Sequence, residues 1–142
     1  ARDGGQTAKG IAQQIAQTEV ALAQRSSAHS HAVAKRLKAG REAFEATVDF
    51  IAANTSSNPN AAFAGSVPYL MLAGNLMAGW QMGRALLVAL SQIEQGNDKA
   101  FMHAKITTAR FYADHLLSRA PGVRDSIVEG AKCVTELALE AF

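Results

Sequence analysis

Between Asp49 and Arg84 the chain carries no charged side chain. A run of that length has two physical homes, a membrane or the inside of a protein. Its apolar part begins near Val67 and stops at Arg84, and it is interrupted by Asn75, Gln81 and several glycines. A membrane helix needs about 20 predominantly apolar residues. The segment falls short, so it predicts a buried central helix rather than a membrane span.

A helix apolar nearly all round needs neighbours to cover it. Five segments have 3.6-residue periodicity, and none of the chain reads as a strand. The first runs from about Gln6 to Arg25 with Ile11, Ile15, Thr18 and Leu22 on one face, after a flexible lead-in at Gly4 and Gly5. The second runs from about His29 to Asn54 with Val33, Leu37, Gly40, Phe44, Val48 and Ile51 in a stripe. It stops in Asn54-Thr55-Ser56-Ser57-Asn58-Pro59, where Asn58 suits an N-cap and Pro59 the first helical position. The third runs from Pro59 to about Gln95. Pro68 predicts either a kink or a short helix followed by a fresh start at Ser66.

Beyond Pro68, Leu70, Ala73, Met77, Trp80, Leu87 and Leu90 recur, with apolar residues on other faces too. This segment is expected at the centre of the bundle. Gly74, Gly79 and Gly83 each cost about 1 kcal/mol against alanine inside a helix. Close approach of a neighbouring helix beside Trp80 is the expected offset.

Gly96 suits a C′ position, and Asn97 or Asp98 caps a fourth helix from Lys99 to about Arg119. Phe101, Thr108, Phe111 or Tyr112, and His115 share one side. Met102, Ile106, Ala109, Ala113 and Leu116 form an adjoining strip. Pro121 and Gly122 break the chain before a fifth helix from about Val123 to Ala141, with Val123, Ile127, Gly130, Val134, Leu137 and Ala141 in register. Short connections favour antiparallel neighbours. The expected fold is all-α, an up-and-down antiparallel bundle of four main helices plus an extra or kinked segment, in one domain over residues 1–142.

Composition narrows the function classes. Only 18% of residues are charged, against about 25% in typical domains, so part of the surface is expected to be covered by a partner. The net charge is +2, and basic residues are interleaved with acids. The densest group, Lys35, Arg36, Lys38 and Arg41, runs straight into Glu42 and Glu45. It reads as a solvated helix face, and no nucleic-acid partner is expected. The single cysteine, Cys133, permits neither an internal disulfide nor a Cys-rich zinc site. Its apolar helical context predicts a buried thiol, compatible with a reducing, cytoplasmic compartment. No signal peptide is expected. The chain lacks an initiator Met, which suits a fragment or a processed product.

Reactive groups do not line up along the sequence. His29 and His31 are two apart, and His103 and His115 are separated by over three turns. Neither of the latter has a carboxylate three residues before it, as a bundle metal site requires. Haem attachment would need Cys-x-x-Cys-His, which is absent, and Met71, Met77, Met82 and Met102 read as core filler. Asp114 and His115 adjoin, yet neighbours on a helix project about 100° apart. Cys133 has only Lys132 beside it to lower its pKa. No glycine-rich phosphate loop occurs. No catalytic, metal or cofactor-binding residue is therefore expected.

Several short motifs nonetheless resemble a known family in order and spacing. They are Arg2-Asp3-Gly4-Gly5, then Asn58-Pro59-Asn60-Ala61-Ala62 and Pro68-Tyr69-Leu70, then Gly79-Trp80 with Arg84-Ala85. The most specific is Lys105-Ile106-Thr107-Thr108-Ala109-Arg110-Phe111-Tyr112-Ala113-Asp114-His115-Leu116-Leu117. Together they resemble the C-terminal helical extension of bacterial acyl-CoA dehydrogenases, including those acting on 3-methylmercaptopropionyl-CoA.

The resemblance implies a parent enzyme that oxidises an acyl-CoA to the 2,3-enoyl-CoA, with a glutamate base and FAD supplied by an upstream region. Nothing here matches the catalytic glutamate motif, so Glu19, Glu42, Glu45, Glu94, Glu129, Glu136 and Glu140 are expected on solvated faces. The resemblance implies a non-catalytic segment that packs on the dehydrogenase core or on another subunit of a homo-oligomer, or bounds the acyl pocket. Tyr69, Trp80, Phe111 and Tyr112 are the candidate contact residues, with burial inside the bundle the alternative for each. The competing expectation is a free-standing helical module for a protein partner or a small apolar ligand.

Overall fold

The computed structural model describes residues 3–136 and 139–141. Among these, α1 (Gln6–Ala23), α2 (Ala28–Asn54), α3 (Pro59–Ala64), α4 (Ser66–Glu94), α5 (Lys99–His115) and α6 (Ala120–Val128) are α-helices, and no strand occurs. Short 3₁₀ turns cover Leu117–Arg119, Gly130–Thr135 and Leu139–Ala141.

Local chemistry sets the boundaries. The Asn58 side chain accepts a hydrogen bond from the Ala61 N–H at 3.3 Å, with Pro59 following as expected. Gly65 then separates α3 from α4, so the chain restarts at Ser66. Pro68 falls in the first turn of α4, where a missing N–H costs nothing. Gly96 takes a left-handed φ of 81°, and Asp98 caps α5 by accepting from the Phe101 N–H at 3.2 Å.

Cross-helix pairs give the topology. Lys9 meets Asp49 and Glu19 meets Arg41, so α1 and α2 are antiparallel. Phe44 stacks on Tyr69 while Gly40 lies beside Leu76, so α2 and α4 are antiparallel. Thr18 pairs with Trp80 and Arg25 with Glu94, so α4 runs alongside α1 in the same direction. The core is filled by Ile15, Leu22, Leu37, Phe44, Leu76, Leu86 and Leu117, among others. A satellite cluster joins Ala43, Leu72, Ala120 and Ile127 beneath α6. The structure is the up-and-down all-α bundle expected, with α3 and α6 as extra pieces.

The inner seam of α4 is Leu72, Leu76, Gly79, Gly83, Leu86 and Ala89, spaced by three or four residues as a helix–helix seam must be. That is a different face from the expected Leu70–Trp80–Leu90 stripe. Gly79 and Gly83 face neighbours closely. A Cβ at Gly79 would lie 2.8 Å from a Leu117 methyl, and one at Gly83 3.1 Å from a Leu22 methyl. Gly74 is different, because a Cβ there would meet nothing within 4 Å.

Other expectations need correction. The helix with the most continuous buried stripe is α2, whose Val33, Leu37, Gly40, Phe44 and Val48 are buried as expected. By contrast, α4 leaves Val67, Leu70, Met71 and Val88 exposed. It is therefore not wrapped on all sides. The lead-in at Gly4 and Gly5 is an ordered left-handed turn, because Asp3 accepts from the Gly5 and Thr7 N–H groups. In α5 the buried strip is Ile106, Ala109 and Ala113, while Phe101, Phe111 and His115 face outward.

The α5 helix gives way to a 3₁₀ turn at Leu117, which drives that side chain between Gly40 and Gly79. Pro121 and Gly122 then lie in the first turn of α6, a position that accepts proline. The expected fifth helix ends at Val128, and 3₁₀ geometry follows from Gly130. Val134 and Ala141 are consequently exposed rather than in register with Ile127, and Leu137 lies outside the described residues. Cys133, expected to be buried, is exposed on the same 3₁₀ stretch.

Candidate interaction surface

The four aromatic candidates do not converge. Tyr69 lies near the start of α4, stacked on Phe44 with centroids 5.9 Å apart, and partial burial raises its pKa. Trp80 donates from Nε1 to the Thr18 hydroxyl at 2.8 Å, which joins α4 to α1, and the Arg84 guanidinium lies over its ring at 5.7 Å. The Tyr112 hydroxyl donates to the Asn75 carbonyl at 3.3 Å, which joins α5 to α4. Burial raises its pKa as well. These three are half-buried joints between helices of the bundle. Phe111 is the exception: it is exposed and stacks only on His115, 4.4 Å away within the same helix.

Titratable groups are dispersed or paired. All four histidines are exposed, on α2 and α5. No three His, Cys, Asp or Glu side chains among the described residues could share a metal ion. Asp114 is held by Arg110 from one side and Arg36 of α2 from the other, and these bonds lower its pKa.

Glu19 overturns the expectation of solvated glutamates: it is buried between α1 and α2 with both oxygens on Arg41. Arg41 also reaches Glu45, and its pKa is raised chiefly by the hydrogen bond to Glu19. Arg41 thus leaves the solvated face assigned to it, while Lys35 and Lys38 stay on that face. Its register on α2 points it at α1, where its long stem fills space and its head meets Glu19. Glu42, Glu94, Glu129, Glu136 and Glu140 are exposed as expected.

The surface feature that individual motifs missed is apolar. Phe63 on α3 and Val67, Leu70 and Met71 on α4 are exposed within a segment that has no charge before Arg84, and Val88 is exposed just beyond it. Isolated exposed apolar residues are ordinary. A continuous uncharged group marks a contact surface. The same uncharged run that suggests a core helix was the available signal. Its second stripe, offset from the inner seam, distinguishes a two-sided helix from a fully buried one.

A separate apolar cleft of about 400 Å³ opens between the start of α1, the end of α2 and the start of α4. Ile11, Phe44, Val48, Tyr69 and Met77 line it, and Asp3 is the one charged residue among its lining.

These features do not suit a flavin dinucleotide. The cleft offers its diphosphate an acid and no cation, and the inner glycines of α4 face leucine methyls rather than open space. Among the described residues no helix is long and apolar enough to cross a membrane.

The family described as "Acetyl-CoA dehydrogenase C-terminal like" matches residues 8–138. The chain is 45% identical to the 3-methylmercaptopropionyl-CoA dehydrogenase of Ruegeria pomeroyi over 116 residues. That match covers 82% of this chain and 20% of the relative. It is 31% identical to the broad-specificity linear acyl-CoA dehydrogenase FadE5 of Mycobacterium tuberculosis over 81 residues. Here 55% of this chain and 13% of the relative are covered. The chain therefore spans a fifth or less of the length of these curated relatives.

Proposed function

Because the chain belongs to the acetyl-CoA dehydrogenase C-terminal-like family, we propose that it is the non-catalytic helical domain of a larger FAD-dependent acyl-CoA dehydrogenase. Residues 1–142 form one domain of that polypeptide. The parent removes two hydrogens from an acyl-CoA thioester to give the 2,3-enoyl-CoA. Its base and flavin site lie in the upstream region, and it works in the cytoplasm as a homo-oligomer.

The observation that carries this reading is the contrast between reactive and apolar groups. The histidines stand apart on the surface, while Phe63, Val67, Leu70 and Met71 are exposed within the stretch that carries no charge. A catalytic domain gathers its titratable groups in a cleft. A packing domain presents uncharged apolar area to be covered.

The intact gene product is expected to be yellow and to show a flavin spectrum that bleaches when an acyl-CoA thioester is added without oxygen. An intact product with no flavin overturns the reading. A second reading, a helical module for a small apolar ligand, draws on the 400 Å³ cleft beside Phe44 and Tyr69. A coding sequence that begins at this bundle, with no dehydrogenase region upstream, would favour it instead.

A further inference from the structure

We infer that α4 is a two-sided helix whose outer seam receives a helix of the flavin-bearing region of the same polypeptide, with closest approach at Gly74. The inference rests on the proposed function and adds the surface, the partner element and the point of contact.

The outer seam is Val67, Met71, Gly74 and Ala78, and it ends at the exposed Gln81 and Arg84. Its members are three or four apart, the spacing of the inner seam shifted around the helix. Val67 is 72% exposed, Met71 58% and, beside them, Leu70 71%. Gly74 is exposed as well, and Ala78 is half-buried. The first charge, Arg84, comes after the glycines and is occupied over Trp80. An interface core is depleted of charge in this way.

Gly74 is the second, independent sign. Glycine inside a helix is unfavourable by about 1 kcal/mol relative to alanine. Gly79 and Gly83 are explained by the leucines against them, but a side chain at Gly74 would project into open space. The bundle alone gives no reason for glycine there. A partner backbone lying across Gly74, with Ala78 one turn on, gives one.

Two facts identify the occupant. The match to the 3-methylmercaptopropionyl-CoA dehydrogenase covers 20% of that relative, so a polypeptide of this kind has several times more chain outside the bundle than in it. The family is described as C-terminal like, so on the proposed function the rest of the polypeptide arrives ahead of α1. The turn Asp3–Gly5 lines the same cleft as Tyr69 and Ala73, at the start of α4 where Val67 and Leu70 are exposed. A covalently attached neighbour arriving there meets the seam at high effective concentration. A second copy of the chain has no such advantage. Charge depletion and the exposed glycine suit a closely packed helix rather than a polar loop.

The test is methionine oxidation by hydrogen peroxide in the intact polypeptide, read residue by residue by mass spectrometry. In the bundle Met71 is exposed, whereas Met77, Met82 and Met102 are half-buried. Burial of its outer face should reverse that order, so Met71 is expected to react about tenfold more slowly than Met102. Gly74→Leu should restore fast Met71 oxidation while flavin content and particle mass stay unchanged. Ala78→Arg should do the same if leucine at Gly74 disturbs expression.

Met71 reacting fastest of the four in a flavin-loaded protein overturns the inference and leaves the dehydrogenase reading standing. A halved particle mass in Gly74→Leu also overturns it, because the occupant is then a second copy. A product without flavin, seen before any peroxide is added, overturns both.

Discussion

Replacing Arg41 with alanine is expected to destabilise the bundle by about 3 kcal/mol. Arg41 Nε and Nη2 donate to the two Glu19 oxygens at 2.7 and 3.1 Å, and Nη1 donates to Glu45 at 2.7 Å. The side chains of Arg41 and Glu19 are only 16% and 10% exposed. Removing the arginine strands a carboxylate between α1 and α2 with no partner, and its desolvation is then unopposed. A small domain has only about 5–15 kcal/mol in total.

The loss reflects breaking the pair, not a large net contribution from having it. Glu19→Leu combined with Arg41→Met should therefore recover most of the stability, since apolar residues of similar shape replace a buried ion pair with little penalty. Lys38→Ala serves as the control. Its partner Glu42 is 3.9 Å away on the open face of α2, and loss of an exposed pair costs well under about 1 kcal/mol. Urea midpoints for the four proteins decide the matter. Arg41→Ala unfolding alongside Lys38→Ala would remove the pair from the account.

The second large effect belongs to Leu117. Its methyls lie close to Gly40 on α2 and Gly79 on α4, so one side chain is clasped by two helices. Leu117→Ala should cost about 3–4 kcal/mol, the range for a well-packed leucine that leaves a cavity. Gly79→Ala alone should also destabilise, by about 1–3 kcal/mol, because its Cβ would press on a Leu117 methyl.

The two changes should not add. With Leu117 shortened, the alanine at position 79 fills part of the void and gains about 1 kcal/mol of helix propensity. The double variant should therefore be more stable than Leu117→Ala by itself. Strict additivity in thermal or urea unfolding would show that the leucine does not occupy the slot between the glycines.

The helices themselves were legible because their caps are local. Asn58, Gly96 and Asp98 act on backbone within a turn of themselves, and sequence neighbours suffice to read them. The inner glycines were legible as a class, because only close approach offsets their helix penalty. What they approach was not, since Leu117 and Leu22 lie far away in sequence.

Glu19 was misread for the same reason. An acid on a polar-looking helix reads as solvated until Arg41, 22 residues on, is placed opposite it. The tail after Val128 was misread because apolar spacing in register says nothing about whether α or 3₁₀ geometry prevails. The outer face of α4 is the most instructive miss. An uncharged helix is the same string of letters whether its second face meets its own bundle or another body of protein.

On the proposed function, the bundle supplies surface, not reactive groups, to a flavin enzyme. The direct measurement is anaerobic flavin bleaching by an acyl-CoA thioester in the intact polypeptide, with His29, His31, His103 and His115 changed to Gln and Cys133 to Ser together. All five are exposed, so the fold should tolerate the change. The rate of flavin reduction is expected to stay within about twofold of the unaltered protein. A loss of about a hundredfold or more with flavin still bound would contradict the account and place catalysis in these helices.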